Sequence, residues 1–141
     1  MAAQRVIPFI AYEDAAGAIE WLGTAFGFEE QADQRYTDEN GTVTHAELRL
    51  DGATIYLATP TPEYVSPKRH RETCEAARRA FDNPYVVDGH FVLVDDVDGH
   101  YERARDTGAT ILSEPAEPGY GYRVYVAEDI EGHRWMFGQP A

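Results

Sequence analysis

Apolar positions along the chain fall into short alternating runs and longer helical stretches. Residues 6–12, VIPFIAY, are apolar, β-branched and aromatic, which predicts a strand. Ala15, Ala18, Ile19, Leu22 and Phe26 then recur at helical spacing, with Asp14 as N-cap and Gly27 as stop. Residues 28–36 and 42–50 predict two strands around a turn that contains Asn40-Gly41, a strong hairpin signal. Asp51-Gly52 marks another turn, and residues 53–58 a fourth strand. Pro60, Pro62 and Pro67 mark a linker. Residues 68–81 predict a helix with Cys74, Ala77 and Phe81 on one side, ended by Asn83-Pro84.

The pattern then restarts. Residues 88–94 predict a strand, 97–108 a helix stopped at Gly108, and 109–112 a strand. A turn-rich stretch over 114–121 leads to a strand at 122–127, a turn at 129–132 and a last strand at 133–137. Both halves read β-α-β-β-β. Glu13-Asp14 matches Asp95-Asp96 at an offset of 82 residues, and Gly17 and Glu20 fall on Gly99 and Glu102 at the same offset. Asp51-Gly52 matches Glu131-Gly132 at an offset of 80, the slippage being a matter of loop length. The chain is therefore read as an internal repeat: module one over 5–58, a linker with a helix over 59–87, and module two over 88–138, forming one domain over 1–141.

Composition agrees with one globular domain and removes several functions. With 43% hydrophobic and 26% charged residues, the 141-residue chain has ordinary folded composition. No apolar run approaches the roughly 18 residues of a membrane helix, and no apolar leader precedes the first strand. The net charge of −13 lacks the basic footprint of a nucleic-acid binder and disfavours an anionic membrane surface. It suits solubility, or steering of a cationic ligand. The single cysteine, Cys74, forms no intrachain disulfide and suits a reducing, cytoplasmic compartment.

Two βαβββ modules in this length resemble the vicinal oxygen chelate superfamily, which includes glyoxalase I, the extradiol dioxygenases and the bleomycin-resistance proteins. Residues 9–15 (FIAYEDA), the helix end 25–28 (AFGF), 45–48 (HAEL), 92–98 (VLVDDVD) and 106–109 (DTGA) carry the resemblance. Residues 129–135, DIEGHRW, are similar to the superfamily's C-terminal D-P-x-G-x-x-W/I-x-F motif, with Ile130 in place of proline. The resemblance implies an α+β fold in which the two modules form a curved mixed sheet around a cleft, with helices on the outer face.

Within that frame, strand alternation assigns side chains to the helix or the cleft. Ile7, Phe9 and Ala11 are expected towards the helix, and Pro8, Ile10 and Tyr12 towards the cleft. His45, Glu47, Arg49, Thr54 and Tyr56 are likewise placed in the cleft. In module two Phe91, Leu93, Val124, Val126, Trp135 and Phe137 are expected towards the helix. His90, Val92, Arg123, Tyr125, Arg134 and Met136 then line the cleft. The glycine-flanked Tyr120 and Tyr122 are candidate lid residues.

By similarity, the family's four metal positions fall on Pro8, Tyr56, His90 and Met136. Proline has no ligand atom, a thioether is soft, and one imidazole does not hold an ion. No metal and no cofactor are expected. What remains is an amphipathic pocket for a small organic ligand. The first reading is a cytoplasmic, metal-free small-molecule-binding protein of the bleomycin-resistance-like type, a homodimer, serving sequestration or an undefined chemistry. The alternative is a metal-dependent lyase, isomerase or dioxygenase, with His90, His45 and Glu47 as a displaced ligand set and Glu47 also available as general base. A domain with a vestigial cleft stands third.

Overall fold

The structure is a computed structural model that describes residues 4–83 and 85–141. It divides into two compact units, Met1–Val65 and Ser66–Ala141, so the linker helices fold with the second module.

The first unit runs β1 (Phe9–Ala11), α1 (Ala15–Phe26), β2 (Glu29–Glu30), a 3-10 turn (Ala32–Gln34), β3 (Tyr36–Thr37), β4 (Val43–Leu50) and β5 (Ala53–Ala58). Its sheet is mixed, in the order β1-β5-β4-β2, with β3 also pairing β4 and β1 parallel to β5. The second unit runs α2 (Pro67–Thr73), α3 (Glu75–Ala80), β6 (His90–Leu93), α4 (Val97–Asp106), β7 (Thr110–Ala116), β8 (Tyr122–Glu128) and β9 (Arg134–Pro140). Its sheet follows the order β6-β9-β8-β7, with β6 parallel to β9. The fold is thus α+β, and each unit repeats one topology around a single long helix.

The repeat extends to the atoms that start those helices. Asp14 accepts a hydrogen bond from the Gly17 amide at 3.0 Å, and Asp96 one from the Gly99 amide at 3.1 Å. A Cβ on Gly17 would lie 2.5 Å from Asp14 Oδ2, and one on Gly99 would collide with the same atom of Asp96. The matching glycines therefore let each capping carboxylate fold back over the first turn.

Some predicted elements change. The strand expected over 28–36 is interrupted by the 3-10 turn, because Glu29-Glu30 and Tyr36-Thr37 pair with different parts of β4. The expected helix over 68–81 breaks at Cys74, which is extended at φ −134° and ψ 113°. Strand β7 runs on to Ala116 through the stretch read as turn, and its register shifts twice against β8.

In the first unit Ile10, Ala46, Leu48, Ile55 and Leu57 are buried beside α1, whose Ala18, Ile19, Leu22 and Phe26 are buried in turn. In the second unit Val92, Tyr125, Trp135 and Phe137 are buried on the side covered by α4. The opposite side of each sheet, away from its long helix, is its open face.

Candidate functional site

The open face of the first unit is a ring cluster around a hydrogen-bonded pair. Strand β4 alternates from His45 to Arg49, so His45 and Glu47 project together, and His45 Nε2 lies 2.8 Å from Glu47 Oε2. Register places Tyr56 opposite Glu47 and Phe9 beside Tyr56. The His45 ring lies 4.8 Å from Tyr56, 5.7 Å from Phe9 and 5.9 Å from Tyr36 between centroids. Arg49, further along β4, is exposed on the same face. His45, Glu47, Arg49 and Tyr56 therefore lie on the face expected of them. Strand β1 is inverted: Phe9 is open, while Ile10 and Tyr12 are buried.

The second unit's open face carries Phe91, Tyr122 and Met136. Register sets Phe91 beside Met136, and the Phe91 ring lies 5.3 Å from that of Tyr122. Gly138 makes this possible, since a Cβ there would come within 2.8 Å of the Phe91 ring. A hollow of about 290 Å3 lies alongside, walled by Tyr85, Pro118, Tyr120, Val124, Val126 and Met136. A larger hollow of about 400 Å3 in the first unit, by Asp14, Asp38 and Thr59, contains none of the expected site residues.

Several expected cleft residues of module two lie elsewhere. Tyr125 is fully buried on the α4 side, stacked on Phe137, with its hydroxyl 2.5 Å from His100 Nδ1. Burial pushes its pKa well above the ordinary tyrosine value. Arg123 reaches Asp98 of α4, with Nη2–Oδ1 at 2.8 Å. Val92 is buried level with Phe137. Arg134 is on the expected side but covered: its guanidinium lies 4.5 Å over the Phe81 ring and donates to the Phe81 and Asn83 carbonyls. Arg134 also lies 3.7 Å from Glu128, which Arg71 meets at 2.7 Å. Of the three expected arginines, Arg49 is the one exposed on an open face.

His90 is level with Trp135, ring centroids 4.7 Å apart, on the α4 side. Its Nε2 is 2.9 Å from Asp88 Oδ2, and His133 Nδ1 is 2.5 Å from the same oxygen. Burial favours the neutral Asp88 carboxyl, but the contacts with His133 and His90 outweigh it and hold its pKa well below the ordinary range. Within its own unit His90 thus has Asp88 and His133 as its neighbours. The family's metal positions do not fit an ion. Tyr56 is paired by Phe9 and Met136 by Phe91, neither of which has a lone pair to offer, while His90 points to the opposite side from Met136. Sequence reasoning missed Asp88, Phe91 and His133. The parallel register of β6 with β9, which joins residues 45 apart, was the missing signal.

The motif over 129–135 is a folding device. Asp129 Oδ1 accepts from the amides of Glu131 and His133, and Oδ2 from Trp135 Nε1 at 3.0 Å. One buried carboxylate thereby closes the β8–β9 turn and anchors the largest core side chain.

Residues 5–137 match the model of the Glyoxalase/Bleomycin resistance protein/Dioxygenase superfamily, and the chain belongs to that family. An uncharacterized protein of Mycobacterium bovis is 31% identical over 133 residues, covering 94% of this chain and 81% of its own. TioX from Micromonospora sp. ML1 is similar in structure, with a TM-score of 0.69, 28% identity and coverage of 98% and 97% of the two chains. TnmS3, an antibiotic binding protein from Streptomyces sp. CB03234, shares the fold with a TM-score of 0.67 at 18% identity, covering 100% of this chain and 99% of its own. No helix among the described residues is long and apolar enough to cross a membrane.

Proposed function

We propose that this protein binds a small aromatic organic molecule of the antibiotic type on its ring-bearing open faces, without a metal at the family's ligand positions. The hollow beside Tyr120, Val124 and Met136 carries this reading: it is mostly apolar, ring-edged and of small-molecule size. Tyr120 sits between Gly119 (φ 109°) and Gly121 (φ 92°), which supports a covering role for Tyr120 and Tyr122. The antibiotic-binding function of TnmS3 supports the ligand class. Charge favours a neutral ligand, because Arg123 and Arg134 are committed to protein partners and the exposed Arg49 offsets Glu47 on the first unit's open face. The protein acts as a cytoplasmic homodimer, a reading supported by its lone cysteine and by Phe9, Phe91, Leu93 and Tyr120 exposed at 40% or more.

Thermal-shift titration with a panel of aromatic antibiotics tests this reading, with sedimentation to give the mass. A true ligand raises stability as RT ln(1 + [L]/Kd), about 2.7 kcal/mol at a hundredfold excess. Tyr120→Ala and Met136→Ala are expected to weaken the shift while leaving the free protein's melting nearly unchanged. A panel with no stabilising compound overturns the reading.

A further inference from the structure

We propose that Asp88, His90 and His133 form a binding site for a late first-row divalent cation such as Zn2+ or Co2+, separate from the second unit's own open face. Their placement follows from the backbone. Asp88 and His90 are two residues apart, as are His133 and Trp135, and β6 pairs in parallel with β9 so that His90 lies level with Trp135. Alternation therefore brings His90 and His133 to one side at the start of both strands, with Asp88 between them.

The ligand atoms fit. Asp88 Oδ2, His90 Nε2 and His133 Nδ1 all lie within 4.8 Å of one another. Ligands around a tetrahedral ion at about 2.0–2.1 Å sit roughly 3.3 Å apart, so small movements convert the hydrogen-bonded set into a coordinating one. Two imidazoles and one carboxylate suit zinc, cobalt, nickel or ferrous iron and disfavour calcium and magnesium, which prefer all-oxygen shells.

The surroundings hold the set in place. The His133 side chain is 6% exposed, that of His90 14% and that of Asp88 22%, so the imidazoles are largely shielded and the carboxylate is the most open of the three. Asp88 Oδ1 accepts from the Arg134 amide at 3.2 Å, and the His133 amide donates to Asp129 at 3.0 Å. Such outer contacts orient ligands before an ion arrives. On binding, each imidazole turns a lone pair to the ion, and its proton resides on the outer ring nitrogen, Nδ1 of His90 and Nε2 of His133. An ion here would tie the beginning of β6 to the β8–β9 turn. Asp88 would then bridge to metal where it now bridges two rings.

The test uses the full chain without a polyhistidine tag. Co2+ titration followed by visible absorbance, with Zn2+ competition, is expected to show one site per chain with tetrahedral-type bands. Asp88→Asn and His90→Gln, checked for native circular dichroism, are expected to weaken it at least about tenfold. Zn2+ is expected to raise the melting temperature of the parent chain and leave that of Asp88→Asn unmoved, a readout that stands even where His133 variants fold poorly. No stoichiometric Co2+ or Zn2+ binding overturns the proposal. So does binding that survives in both variants, or that is lost with His45→Gln or His70→Gln in their place.

Discussion

Tyr125 shows how one hydroxyl can move a whole strand's reading. Along β8 the residues Val124, Tyr125, Val126 and Ala127 are all apolar or aromatic, so alternation gives no preference between faces. Counting from the neighbouring valines places Tyr125 in the cleft; the structure buries it and pairs its hydroxyl with His100. Its raised pKa has a consequence with a definite sign. The neutral form is favoured in the folded state, so the contribution is complete below the unfolded value near 10 and is lost as pH rises above it. Tyr125→Phe is therefore expected to cost about 1 kcal/mol at neutral pH, the worth of a typical hydrogen bond. The deficit should shrink above about pH 10. Urea unfolding of both proteins across that range measures it, and a gap that widens in alkali contradicts the assignment.

At the level of elements, legibility tracked the clarity of the local pattern. Strand β4 alternates over its HAELR segment, and the faces of His45, Glu47 and Arg49 are readable from it. Strands β1 and β6, FIA and HFVL, are apolar on both sides and were inverted, which hid Phe9 and Phe91 and misplaced His90 and Val92. No glycine or proline announces the break at Cys74, and β7 reaches Ala116 by pairing with the next strand although the run read as turn contains Pro115. The helix starts were legible because their capping chemistry is local. Gly17→Ala and Gly99→Ala are each expected to destabilise by about 1 kcal/mol, the value of a lost N-cap, despite alanine's better helix propensity. Thermal denaturation of both variants decides this, and a stabilised Gly17→Ala would show that the carboxylate has another way to cap.

For the molecule as a whole, the fold is readable and the residues on each unit's open face are only partly so. Element order and turn chemistry repeat across the chain, which is a global regularity; the partners of Arg123 and Arg134 are particular to tertiary packing. The net charge of −13 acts at this scale too. Self-repulsion among the acids opposes the folded state and is screened by salt. Melting temperature is accordingly expected to rise from low ionic strength to about 0.5 M NaCl, a range over which the Debye length falls to a few ångströms. A fall over that range would mean that ion pairs such as Arg35–Glu30 and Arg71–Glu128 outweigh the repulsion.

Gly138 gives the second sheet a floor one methyl group lower than any other residue would allow, and the Phe91 ring rests in that space. A change there would lift or swing the ring without altering a single ring-bearing residue. The shape offered to a guest is thus adjustable from the backbone beneath it. Relatives with the same aromatic residues but a bulkier floor would present a different surface and select different molecules.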